Sequence, residues 1–238
     1  MFKQFSKFFF MTKLGLKYIT IFKQTFLNPF ITLRQGYKQL SISRQGYSNK
    51  MLENLNIKVK VVGDLPKRDK ILYAINHRSL LDIIVMESIF ARYNKNGAWI
   101  AKEELFSAIY GDFFKYSGCI SVDLQNGKGL IKFFKFIKKV LSKIDDFNIY
   151  IFPEGERYKK DGIGKFQSGA IKIAKSNKLD IVPVFINEKL EDVFKNAPYK
   201  ETKIVEVHIG DVITDIQNLE SIYIDFMENA KNKRVENE

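Results

Sequence analysis

Apolar positions along this chain change their period in a repeating order. Compact apolar or alternating runs at 57–62, 70–75, 117–122, 147–152, 180–186 and 203–209 have the form of strands, whereas near 80–93, 103–110, 128–144, 169–177 and 218–231 the apolar residues recur every three or four positions, as in amphipathic helices. Strand-like runs that alternate with helical ones predict an α/β fold with a central, mostly parallel sheet flanked by helices. The clearest helix places Leu130, Phe133, Phe134, Ile137 and Leu141 on one face and Lys128, Lys132, Lys135, Lys139 and Lys143 on the other, a solvated side.

Residues 1–52 stand outside this alternation. They hold nine of the 39 Lys and Arg residues and none of the 27 acids, so most of the net charge of +12 sits there, and the part beyond is nearly balanced. Bulky apolar residues, among them Phe5, Phe8, Phe9, Leu16, Phe26, Leu27 and Phe30, lie between the lysines. This composition suits a helical segment lying in a membrane interface, its apolar side among acyl chains and its lysines near anionic headgroups, each charge contributing about 1 kcal/mol. The chain therefore divides by composition into a basic apolar segment, 1–52, and a catalytic domain, 53–238. The expected location is a membrane surface, bound peripherally or monotopically on the cytoplasmic face. A helix pair packed on the domain with solvated lysines is the alternative. A spanning helix is excluded because the longest uncharged stretch, Gln24–Leu33, is ten residues and contains Pro29; Lys13 and Lys17 likewise shorten any signal-peptide core. The single cysteine, Cys119, excludes an internal disulfide. The basic pI of about 9.5 raises a nucleic-acid-binding module as a non-enzyme alternative, but no helix-turn-helix, zinc or RNP-type pattern accompanies it.

Two short strings carry candidate chemistry. Asn76-His77-Arg78-Ser79-Leu80-Leu81-Asp82 follows the strand-like run 70–75, and Ser79 and Asp82 have the spacing of a capping box at the start of the next helix. His77 then stays on the loop. On a continuous helix the five-residue separation would turn His77 and Asp82 about 140° apart, whereas the strand-loop-helix reading lets them meet. A carboxylate holding one imidazole nitrogen leaves the other free to take a proton from an alcohol, which makes His77 a candidate general base; a loop histidine beside a helix-capping Asp82 fits the spacing equally well. His208, within an alternating run, reads as a strand side chain. The second string, Phe152-Pro153-Glu154-Gly155-Glu156-Arg157, ends the run 147–152, since Pro153 lacks a ladder donor. Gly155 permits a tight turn that presents Arg157, with Lys159 and Lys160 behind it. A guanidinium fork is suited to phosphate, although a solvated turn has the same pattern.

Together, and in this order, the strings resemble the glycerolipid acyltransferase family, especially its 1-acylglycerol-3-phosphate branch, over about residues 57–215. Asn76, His77 and Asp82 match that family's His-four-residues-Asp motif, and Phe152, Pro153, Glu154, Gly155 and Arg157 match its phosphate-binding motif. Lys102-Glu103-Glu104-Leu105, Gly118 to Asp123 and Ile181-Val182-Pro183-Val184 resemble its remaining segments. The resemblance implies an O-acyltransferase that moves a fatty acyl group from an acyl thioester to the free hydroxyl of lysophosphatidic acid, with His77 and Asp82 catalytic and Asn76, Lys102, Glu154, Gly155 and Arg157 at the substrate. It implies no metal and no cofactor, only coenzyme A or acyl carrier protein as the carrier of the acyl co-substrate. Two positions depart from the family pattern: Leu124 stands where an arginine is usual, and Glu156 where Thr or Ser is common. The first opens the acceptor to other lysolipids, a lyso-ornithine lipid among them.

Overall fold

The computed structural model describes residues 2–108, 111–123 and 126–235. Two helices come first, α1 (Phe2–Phe26) and α2 (Leu33–Asn54), followed by β1 (Ile57–Val62), β2 (Ile71–Ile75), α3 (Leu81–Arg92), β3 (Gly97–Lys102), α4 (Glu104–Ser107), α5 (Gly111–Tyr116) and β4 (Ile120–Val122). The chain continues through α6 (Gly127–Lys143), β5 (Asn148–Ile151), α7 (Gly169–Asn177), β6 (Asp180–Ile186), α8 (Leu190–Asn196), β7 (Lys203–Ile209) and α9 (Leu219–Val235). Among the described residues, seven strands form one sheet in the order β1-β7-β6-β2-β5-β3-β4. Every neighbouring pair is parallel except β6 and β7. This is the α/β architecture that the alternation of periods predicts.

Helices cover both faces of the sheet. Alternate strand residues divide between two cores, as the two-residue strand period requires. Tyr73, Ile75, Trp99 and Tyr150 join Phe22, Leu40, Val85 and Phe90 on the side of α1, α2 and α3, while Leu72, Ala74, Ala98 and Ile149 join Phe133, Ile137, Ala170 and Ile173 on the side of α6 and α7. β2 is buried at all five positions, as befits a strand covered on both faces.

Two expectations change. The strand β3 escapes a pattern-based reading because Gly97, Ala98 and Ala101 supply neither β-branched bulk nor alternation. Gly97 is required there: a Cβ would stand 2.4 Å from the Asn148 carbonyl oxygen. The composition change at residues 52 and 53 marks no structural break, since α2 runs through it. Tyr37, Leu40, Ser41, Arg44, Ser48, Met51 and Leu52 of α2 are buried, so this half of the basic segment is a packing element. α1 touches the core through Leu14, Tyr18 and Phe22, spaced four apart, and leaves Phe5, Phe8, Phe9 and Leu16 exposed. No described helix is long and apolar enough to cross a membrane.

Because β2, β5 and β3 are parallel neighbours, their carboxyl ends open at one edge of the sheet. Loops beyond such ends are where open α/β sheets bind ligands. Both motif strings and Lys102 lie there.

Candidate active site

Just past the end of β2, the Asn76 amide still reaches the Val184 carbonyl of β6 at 3.3 Å, and there Asn76 turns the chain. Its side-chain amide donates to the Ile186 carbonyl at 3.0 Å and accepts from the Ile186 amide at 2.8 Å, while its own amide donates to the Tyr223 hydroxyl at 3.1 Å. Asn76 is thus a clamp between β2 and β6, with its polar atoms directed at the backbone. Ser79 Oγ accepts from the Leu81 amide at 3.2 Å, but the helix begins with Leu81 and its N-cap position is Leu80, so Ser79 stands one residue before the cap that the sequence spacing assigned to it.

Asp82, in the first turn of α3, gathers three donors on one oxygen. Its Oδ2 lies 2.9 Å from His77 Nδ1, 2.8 Å from the Arg78 amide and 2.9 Å from the Ser79 amide. An ionised carboxylate only accepts, so Nδ1 carries the imidazole hydrogen and Nε2 keeps its lone pair. No described residue bonds Nε2. His77 and Asp82 are both buried, where charge-assisted bonds of this kind are strong. The ring of His77 stacks on Phe152 with centroids 3.7 Å apart and planes at 11°, and Phe152 stacks in turn on Trp99 at 5.0 Å. Trp99 Nε1 donates to Glu87 Oε1 at 2.9 Å, and the same oxygen accepts from Arg44 Nε at 2.6 Å. The imidazole is therefore held at its edge by a carboxylate and at its face by a row of rings anchored to a buried ion pair.

The loop after β5 is stitched to His77 from both sides. Gly155, at φ +72°, closes a turn in which its amide donates to the Phe152 carbonyl, a backbone shape that glycine adopts without strain. Glu154 is buried, and its two oxygens accept from the amides of His77 at 2.7 Å and Gly164 at 2.5 Å. Burial pushes this carboxyl above its ordinary range, and the two amides oppose that shift. Farther along, the Tyr158 amide donates to the His77 carbonyl at 2.8 Å, and the Gln167 amide to that of Pro153 at 2.7 Å. Arg157, next to Tyr158, is exposed, and no described residue bonds its guanidinium. Lys102, at the end of β3, is half-buried and likewise without a partner among the described residues. Lys159 instead reaches Glu191 at 3.5 Å. Leu124 lies outside the described residues.

The candidates thus fall into two groups. His77, Asp82, Arg157 and Lys102 keep chemistry available at the sheet edge, whereas Asn76, Glu154 and Gly155 shape the loops that carry them. Arg44, Glu87 and Trp99 support the site without having been singled out by motif. The chain's single tryptophan, and an acid inside the apolar helix Ile83 to Phe90, were the available signals.

Residues 56–187 match the profile of the acyltransferase family. The chain belongs to that family. Relatives of this acyltransferase include the 1-acyl-sn-glycerol-3-phosphate acyltransferase of Helicobacter pylori, 34% identical over 56% of this chain and 54% of the relative. The probable 1-acyl-sn-glycerol-3-phosphate acyltransferase of Mycoplasma genitalium is 30% identical over 61% of this chain and 54% of its own. The matches span about half the length of those relatives. The crystal structure of the 1-acyl-sn-glycerophosphate acyltransferase of Thermotoga maritima shares the fold with a TM-score of 0.65 at 20% identity, covering 94% of this chain and 93% of that one.

Proposed function

We propose that this acyltransferase esterifies the free hydroxyl of lysophosphatidic acid with a fatty acyl group from an acyl thioester, giving phosphatidic acid. The observation that carries the reading is the held imidazole: Nδ1 against Asp82, Nε2 unbonded among the described residues, and the Arg157 loop tied to the backbone of His77 itself. His77 Nε2 takes the proton of the acceptor hydroxyl as its oxygen attacks the thioester carbonyl. Asp82 stabilises the imidazolium. The carbon–sulfur bond then breaks, and the departing thiolate recovers the proton. Arg157 and Lys102 supply free cationic groups at the same edge, suited to the acceptor phosphate. The exposed phenylalanines of α1 support the membrane surface as the source of the lipid.

The test is to offer the purified protein a labelled acyl thioester with lysophosphatidic acid, glycerol 3-phosphate, lyso-ornithine lipid and neutral lysolipids. Lysophosphatidic acid should be the preferred acceptor, and Arg157→Ala should raise its KM through loss of a contact worth about 1.5–3 kcal/mol, with little effect on the acyl donor. Leu124, in place of an arginine, favours the lyso-ornithine lipid as second reading. Higher turnover on that acceptor, with an Arg157→Ala variant indifferent to lysophosphatidic acid, would replace the phosphate assignment.

A further inference from the structure

The helix α6 has a face for which acyl transfer gives no use. Lys128, Lys132, Lys135, Lys138, Lys139 and Lys143 are all exposed, the helix contains no acid, and among the described residues none of these lysines makes an ion pair. The acids that follow the helix, Asp145 and Asp146, pair elsewhere, with Lys70 and Arg34. At about 100° per residue the six ammonium groups fall within a sector of about 140°. Lysines four apart, as at 128 and 132, 135 and 139, and 139 and 143, repel one another and oppose the helix. Lys128 adds a cation in the first turn, where the helix dipole disfavours it. Exposed apolar side chains accompany this charge, Ile131 at 58% and Phe136 at 37% exposure.

We propose that this face of α6 is the dock for an acidic carrier protein that delivers the acyl thioester, an inference that rests on the acyl transfer proposed above. The apolar side of α6, Phe133, Ile137, Val140 and Leu141, is buried in the core. Outside the core, the exposed apolar side chains Ile131 and Phe136 stand apart among the lysines and form no continuous apolar face to enter a bilayer. What it offers is a dense positive strip with apolar contact points, complementary to the acidic surface of a rigid protein and able to steer its approach. Placement agrees with delivery. α6 starts shortly after the carboxyl end of β4, and the Glu103 amide, next to Lys102, bonds the Val122 carbonyl at 3.1 Å, so the strip begins at the edge that holds His77. The exposed phenylalanines of α1 lie on the opposite side of the sheet, with the other core. Carrier and lipid surface thus approach separate faces of the sheet.

The experiment uses the full chain and its Lys132→Glu/Lys135→Glu/Lys139→Glu variant, with palmitoyl-loaded acyl carrier protein and palmitoyl-coenzyme A as alternative donors. Binding of labelled acyl carrier protein is measured directly, independently of turnover, and sedimentation with anionic vesicles is followed in parallel. The variant should bind the carrier protein at least tenfold more weakly and show a matching rise in its KM, with the KM for palmitoyl-coenzyme A within twofold and vesicle binding unchanged. In the native protein, carrier binding should weaken steeply with salt; this holds as a test even if the triple variant does not fold. Unchanged carrier binding, salt-independent binding, an equal loss with palmitoyl-coenzyme A, or a loss of vesicle binding instead would each overturn the dock. If the native protein binds the carrier through α6 but transfers no acyl group from either donor, the dock stands and the acyl-transfer reading fails.

Discussion

The imidazole of His77 and the ring of Phe152 lie face to face, 3.7 Å apart at 11°, so the first residue after β5 sets the plane of the candidate base. Hydrogen bonding to Asp82 fixes where Nδ1 sits, and the stack limits rotation about that bond. Phe152→Leu keeps apolar volume but removes the planar partner. It should leave melting within a few degrees of the native protein, lower kcat about tenfold and leave acceptor KM unchanged, since a base held off its productive angle costs rate more than binding. Equal turnover by the two proteins would reduce Phe152 to packing.

His77→Ala should lower turnover by about 10²–10⁴ in a protein that still folds, the usual cost of losing general-base catalysis. Asp82→Asn should be impaired through a different route: its carbonyl oxygen can take the place of Oδ2 and keep the three donors, but the neutral amide no longer stabilises the imidazolium that forms when His77 takes the proton. Steady-state rates with circular dichroism on each variant decide this. Near-native turnover by folded His77→Ala would remove the mechanism.

Glu154 is a stitch in the loop rather than a reactant. Glu154→Gln retains one acceptor oxygen and turns an NH₂ toward the other amide, which leaves a buried donor unpaired at a cost of about 1–3 kcal/mol. The expected result is a lower melting temperature together with a higher KM for the phosphate-bearing acceptor, because Arg157 rides on the same loop. A variant with native stability would mean that the loop is held by Tyr158 and Gln167 alone.

Local chemistry made part of this site readable in the sequence. His77 and Asp82 sit five residues apart across one loop, and Pro153 and Gly155 state their turn by residue type, so strand-loop-helix reasoning reaches them. The support behind them is not local. Arg44, Glu87 and Trp99 join residues 43 and 12 positions apart, and no periodicity announces a contact of that kind. β3 was hidden because close packing against β5 selects small residues, which carry little strand signal. For α2 the composition was ambiguous in principle, since lysines interleaved with apolar residues suit an interfacial helix and a packed one alike; the buried side of Tyr37, Leu40, Arg44 and Met51 decides for packing.

Histidine 208 supplies a pH dependence unrelated to catalysis. It is buried on β7, 2.9 Å from Glu206, and burial lowers its pKa below the usual value; Glu206 and Glu188 pull it back up, and Lys60 pushes it down. Between that lowered value and about 6.5 the unfolded chain binds the proton that the folded chain refuses, so this contribution to stability is fully present above about 6.5 and is lost as pH falls through the window toward the lowered value. Melting curves between pH 7.5 and 5 should show this loss, and His208→Gln should flatten it. Identical slopes for the two proteins would assign the acid sensitivity to carboxylates.

The exposed phenylalanines of α1 make the last test. Phe5, Phe8 and Phe9 are 74%, 70% and 65% exposed, whereas the seam that packs on the domain is Leu14, Tyr18 and Phe22. Large apolar groups left in water beside lysines cost solvation free energy unless a surface covers them. Replacing all three phenylalanines with serine should therefore leave the core and the melting temperature nearly unchanged while weakening sedimentation with anionic vesicles at least tenfold. Salt should weaken the native protein's binding only in part, because screening acts on the lysines and not on the buried rings. If the triple serine variant bound vesicles as well as the native chain, the membrane surface would have to be formed elsewhere, and α1 would be a packing helix whose outer face is simply uncovered.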